Sequence, residues 1–220
     1  MKEENKNGQL PEKEQLLSSL RNAEEMYVFM SLCTKMPYVL CDEETFDDEV
    51  LLYYTEEDAQ REGKKLIEQR IPIQIAKIEK KQLLGFFSSL YPMGVNGLLI
   101  NKNMESEARL QLGELVIRPN TEDLPDGKVW VENPQLHLTA LYFMQEMRRQ
   151  EKPELTEELK GLQEEILVNY GRGRFIVAVH KENGMPMLKQ KNGDAYQPIF
   201  TDILEFRKFN KEDQFKTMAN

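Results

Sequence analysis

The stretch from Met36 to Ala59, MPYVLCDEETFDDEVLLYYTEEDA, returns in altered form as Met185 to Glu205, MPMLKQKNGDAYQPIFTDILE. Met36-Pro37 answers to Met185-Pro186 at a spacing of 149 residues, and Tyr54-Thr55-Glu56 answers to Phe200-Thr201-Asp202 at a spacing of 146. The three-residue difference falls in the loop between them. One echo at so long a period means duplicated domains rather than a solenoid.

Each copy carries the same order of signals. An apolar run enters, Met26–Met30 or Phe175–Val179, and a two-residue turn follows, Thr34-Lys35 or Asn183-Gly184. Asn-Gly is a strong hairpin signal because both turn positions need positive φ; Thr-Lys is poor at this and predicts a different turn. After a second strand and a polar loop comes a third strand, Val50–Tyr54 or Gln197–Phe200. A helix then starts at Thr55 or Thr201, whose hydroxyl can accept from free N–H groups of the first turn. Asp58, three residues after Thr55, makes the first of these resemble a capping box.

Periodicity supplies the remaining elements. Helices are expected over Glu12–Glu25 (Leu16, Leu17, Leu20 and Ala23 inward), Glu56–Arg70 and Glu79–Tyr91. Strands are expected at Ile71–Ile75, Val95–Ile100, Leu110–Arg118 and Val129–Val131. Asn133-Pro134 is a helix start, with Leu136, Ala140, Phe143 and Met147 as its inner face. Pro153 opens another helix along Leu155, Leu159, Leu162 and Ile166. The expected fold class is α+β: two related modules, each a mixed β-sheet that starts with a hairpin meander and is covered by helices. The modules are residues 1–118 and 133–220, with a turn-rich linker over 119–132. Phe215–Met218 lines up with the start of the Ile71 strand, and nothing matches residues 79–101. The second module is therefore expected to be C-terminally incomplete, with an uncovered sheet edge that recruits another chain.

Several of these segments together resemble the SseB family. They are Pro37-Tyr38-Val39, Tyr54-Thr55-Glu56-Glu57, Gly94-Val95-Asn96-Gly97-Leu98-Leu99-Ile100-Asn101, Phe175-Ile176-Val177-Ala178-Val179 and Pro198-Ile199-Phe200-Thr201-Asp202. Lys102 stands where the family's closing strand has proline. The resemblance implies a bacterial, cytoplasmic, non-enzymatic protein, and it brings no catalytic residues to carry over.

Composition narrows the classes of partner. Net charge is −9 at pH 7, with 30% charged and 40% hydrophobic residues. Such a field repels phosphate backbones and anionic surfaces, so no nucleic acid and no membrane is expected as partner. No apolar run approaches the ~18 residues of a membrane span. The two cysteines, Cys33 and Cys41, sit too far apart along one hairpin for a disulfide, which agrees with a reducing setting.

The candidates for chemistry are few. His137 and His180 have no histidine or cysteine at ligand spacing, so no metal is expected. No nucleophile motif occurs, so no catalytic residue and no cofactor is expected. Gly171-Arg-Gly-Arg174 precedes a strand, where a phosphate loop would follow one, and reads as a strand-entry turn. Asp42, Glu43, Glu44, Asp47, Asp48 and Glu49 place six acids in eight residues. They lack the glycine and flanking helices of an EF-hand, and form the candidate interaction loop. The expected function is a non-catalytic protein-interaction or regulatory module. It contacts a protein partner through acidic loops and an open sheet edge, with a homodimer through the second module as one form of that contact. The alternative is a sensor binding a small ligand between the two modules.

Overall fold

The computed structural model describes residues 9–118, 124–125, 127–150, 152, 154–180, 182 and 184–219. Of the expected linker, residues 119–123 and 126 lie outside this set, as does Asn183 of the second turn. The fold is α+β. It divides into two compact units, Met1–Ser88 with Val95–Arg118, and Ser89–Gly94 with Pro119–Asn220. Residues 89–94, read in the sequence as part of the first module, thus group with the second unit.

The first unit opens with α1 (Gln9–Asn22), β1 (Glu25–Ser31), β2 (Val39–Cys41) and β3 (Asp48–Tyr53). It continues through α2 (Glu56–Glu68), β4 (Ile73–Glu79), α3 (Lys80–Leu90), β5 (Gly97–Ile100), β6 (Ala108–Gln111) and the single turn α4 (Leu112–Leu115). Its sheet runs β4-β1-β3-β5-β6, and β2 pairs with β3. Only β3 and β5 are parallel, so the sheet is mixed. One core layer joins Tyr27, Phe29, Leu51, Tyr53, Ala59, Ile73 and Leu99 beneath α2. Thr55 caps α2 by accepting from the Asp58 N–H at 3.2 Å, while its hydroxyl donates to the Asp58 carboxylate at 2.6 Å. Gly63 lets α2 approach Phe29 and Ile73, since a Cβ there would stand 3.2 Å from Ile73 Cδ1.

The second unit contains α5 (Pro134–Arg149), α6 (Glu157–Arg172), β7 (Ile176–His180), β8 (Leu188–Lys189), β9 (Ala195–Tyr196), β10 (Ile199–Phe200), α7 (Ile203–Phe209) and β11 (Phe215–Ala219). Its sheet runs β10-β7-β11, all antiparallel, with β8–β9 as a separate hairpin. The core gathers Val131, Ile176, Ala178 and Phe206, with Phe200, Ile203, Phe209 and Phe215 around them.

The central ladder pairs of the two units can be set in register. Tyr27↔Tyr53 and Val28↔Leu52 correspond to Ile176↔Phe200 and Val177↔Ile199 when β1 is advanced by 149 and the end of β3 by 147. The same 149 carries Ser31, which faces Ile73, onto His180, which faces Phe215. It also carries the β2 ladder, Val39↔Val50 and Leu40↔Glu49, onto Leu188↔Tyr196 and Lys189↔Ala195, with the start of β3 advanced by 146. The shift from 146 to 147 lies between Tyr196 and Ile199. There Gln197-Pro198 replaces the single Leu51, and proline, having no N–H, breaks the strand in two.

That inserted residue corrects the expected helix start. At a spacing of 147 the counterpart of Thr55 is Asp202, not Thr201. Asp202 caps α7, its Oδ1 accepting from the N–H groups of Leu204 at 2.8 Å and Glu205 at 3.0 Å. Thr201 donates its hydroxyl to Asp202 Oδ2.

Other expectations also shift. Leu112–Leu115 turns into α4 where a strand was expected, and Val129–Val131 forms no strand. α5 buries Leu136, Leu138, Leu141 and Gln145 rather than the face through Ala140, Phe143 and Met147. α6 starts at Glu157, capped by Thr156, so Leu155 lies before it and is exposed. Asn133 is the N-cap residue of α5, but its side-chain amide donates instead to the carbonyls of Arg174 and Thr201.

Candidate interaction surfaces

The six acids of the loop between β2 and β3 have different fates. Asp42 Oδ1 accepts from the N–H groups of Glu44 and Thr45 and from the Thr45 hydroxyl, and Asp42 Oδ2 accepts from Arg109 Nη2 at 2.9 Å. The Thr45 and Glu44 N–H groups hold its carboxyl below the usual range, with Arg109 helping. Asp47 accepts from Asn96 Nδ2 and Gln111 Nε2, both at 2.7 Å. The Asp48 N–H donates to Asn96 Oδ1. Glu49 is buried in β3 and accepts from Arg109 Nε at 3.1 Å, leaving Oε2 without a partner. Burial pushes its carboxyl up, and Arg109 pulls against that. Gly97 faces Glu49 across the parallel ladder because a Cβ there would meet Glu49 Cγ at 2.8 Å.

The loop is therefore a structured turn held by Arg109 and Gln111 of β6 and by Asn96 just before β5, with only Glu43 and Glu44 exposed among its acids. At its tip stands Phe46, 76% exposed, with φ +58° and its N–H donating to the Asp42 carbonyl. Phe46 is silent in the sequence, because a lone aromatic in a charge run carries no periodic signal.

The second surface is the β10 edge of the second unit. In the first unit β5 covers the equivalent edge, pairing Val50↔Leu98 and Leu52↔Ile100. Among the described residues no strand pairs with the outer edge of β10. Leu188, Tyr196 and Ile199 are 50%, 50% and 38% exposed; their counterparts Val39, Val50 and Leu52 are 1%, 0% and 0%. Met185 and Met187 are exposed beside them.

The remaining candidates fall elsewhere. Cys33 is buried, Cys41 is exposed, and neither forms a disulfide. Burial and then the Asp48, Asp42 and Asp47 carboxylates push the Cys41 thiol up, away from thiolate chemistry. In the Gly171–Arg174 segment, Gly173 is required by close approach, since a Cβ would stand 2.5 Å from Asn133 Oδ1. His180 packs edge-on against Phe215. His137 faces Asp202 with 3.5 Å between Nδ1 and Oδ2. A cleft of about 530 Å³ in the first unit is lined by Glu25, Tyr27, Tyr54, Thr55, Glu56, Glu57 and Gln60. Its lining is carboxylate, phenol, hydroxyl and amide.

No family model matches the chain, and no curated protein matches it. Among solved structures, Tic22 from Plasmodium falciparum is similar at 17% identity and a TM-score of 0.25. The match covers 93% of this chain and 82% of that one. At that TM-score the likeness carries no argument about fold or function. Among the described residues, no helix is long and apolar enough to cross a membrane.

Proposed function

We propose that this chain is a non-catalytic interaction protein of the SseB type, built by duplication of one α+β unit, and that its second unit binds a protein partner along the β9–β10 edge. The observation that carries this reading is the contrast at matched ladder positions. Leu188, Tyr196 and Ile199 are exposed where Val39, Val50 and Leu52 are buried. The first unit also indicates the chemistry of the occupant. β5 is a short apolar strand, Gly97-Leu98-Leu99-Ile100, laid parallel to β3. A partner suited to β10 is thus an extended apolar segment that adds as a strand, its backbone giving affinity and its alternate side chains specificity. Phe46, with Glu43 and Glu44, supplies a second contact suited to an apolar pocket with a basic rim. A second copy of this chain meeting the edge would be the homodimeric form of the same contact.

The test is affinity capture by the full chain, compared with Ile199→Lys and with the double variant Phe46→Ala, Glu44→Lys. A specific partner held by the parent chain and lost with Ile199→Lys supports the reading. Loss with the double variant alone moves the contact to the loop, and retention of the same partner by both removes both surfaces. Sedimentation across a concentration series identifies the second-copy case by a rising mass that Ile199→Lys abolishes.

A further inference from the structure

We propose that His137, Asp202 and Glu205 form a site for a divalent transition-metal ion of zinc-like size in the second unit, where α5 meets the start of α7. One ring nitrogen and two carboxylate oxygens from these residues all lie within 4.8 Å of one another. His137 Nδ1 and Asp202 Oδ2 stand 3.5 Å apart. That is long for an N–H···O bond, whose range is about 2.7–3.2 Å. Two ligands each about 2.1 Å from one tetrahedral zinc ion stand about 3.4 Å apart, which matches the observed distance. His137 Nδ1 is buried, in a side chain only 12% exposed, and makes no hydrogen bond of ordinary geometry; Asp202 Oδ2 at 3.5 Å is the polar atom it faces.

The surroundings fix these groups as outer-shell contacts fix metal ligands. Asp202 Oδ1 is held by the Leu204 and Glu205 N–H groups, and Oδ2 by the Thr201 hydroxyl. The His137 backbone N–H donates to the Asn133 carbonyl, and the Asn133 side-chain amide ties to the carbonyls of Arg174 and Thr201. This fixes the turn of α5 that carries the ring. Glu205 pairs with Lys208 at 2.6 Å, and this pair competes with a metal ion for its carboxylate. One nitrogen with two oxygens suits zinc, cobalt or nickel, whereas calcium and magnesium favour all-oxygen sets.

The test is calorimetric titration of Zn²⁺ into the chelator-treated full chain, with Co²⁺ absorption as a spectroscopic check. The expected result is one ion per chain. His137→Gln and Glu205→Gln should each weaken binding at least tenfold with unchanged circular dichroism. Lys208→Ala should tighten binding several-fold by releasing Glu205, an effect that a purely structural His137–Asp202 contact would not produce. No binding, or binding undiminished in Glu205→Gln and unmoved in Lys208→Ala, overturns the proposal. If His137→Gln fails to fold, those two surface variants decide it.

Discussion

β3 of the first unit and β9–β10 of the second occupy the same place in matching ladders, yet one is central and the other an edge. β3 lies between β1 and β5, and Val50 and Leu52 are fully buried. β10 pairs only with β7 among the described strands, and Pro198 parts it from β9. The difference teaches that the pleat and register of such a unit are set locally, by hairpin, strand and capped helix. Its burial is set by what is laid on the outer edge. The same sequence pattern is then core in one setting and an exposed edge in the other.

The sharpest way to break the comparison is to place a charge at the matched position in each unit. Leu52→Asp buries an unpaired carboxylate and is expected to cost the first unit more than about 4 kcal/mol, enough to unfold it. Ile199→Asp is expected to cost the second unit less than about 1 kcal/mol. Urea unfolding of both variants checks this, and equal losses would mean that β10 is covered. Next in size is Phe206→Ala. Phe206 stands 147 residues after Ala59, each a buried contact from its helix to its sheet. Its truncation should cost about 3 kcal/mol, read from the same transition.

Gly97→Ala is expected to cost about 2 kcal/mol by overpacking against Glu49, since its Cβ would lie 2.8 Å from Glu49 Cγ. The requirement for glycine exists only because β5 covers β3, so thermal melting of this variant measures how closely that edge is sealed.

Smallest is the effect of pH at Glu62, whose second-unit counterpart at 147 is Phe209. Burial works to raise the Glu62 carboxyl, but Lys65, Asn103 and Arg61 bring it below its usual value. A depressed carboxyl contributes stability above its unfolded value of about 4.3 and loses it as pH falls through the folded value. Glu62→Gln should therefore cost about 1 kcal/mol at pH 7, discounted for its exposed lysine and arginine partners. The difference from the parent chain should vanish on acidification. Phe209→Leu should show a difference independent of pH. Denaturant melts at pH 7 and below pH 4 separate the two.

Much of this plan was legible in the chain itself. The entering strands β1 and β7 and the Thr55 cap are local signals, and local physics governs them. The shift of the second cap to Asp202 was not legible, because a one-residue insertion at Gln197-Pro198 leaves the motif Phe200-Thr201-Asp202 looking aligned. The inward turn of Asp42, Asp47 and Glu49 was hidden for another reason. Their partners Asn96, Arg109 and Gln111 lie some fifty to seventy residues away and carry no mark of pairing. His137 likewise showed no ligand spacing, since Asp202 and Glu205 reach it only through the fold. The rotated face of α5 was missed because apolar residues occur on more than one side of that helix.

Residue-resolved hydrogen exchange of the free chain tests the central claim most directly. Amides of Asp48–Tyr53 in β3 should exchange only through global opening of the first unit. Those of Ala195–Phe200 other than Pro198, which match Glu49–Tyr53, should exchange at least a hundredfold faster and slow when a strand-donating partner is added. Protection at Ala195–Phe200 equal to that of β3 in the free chain would contradict the account.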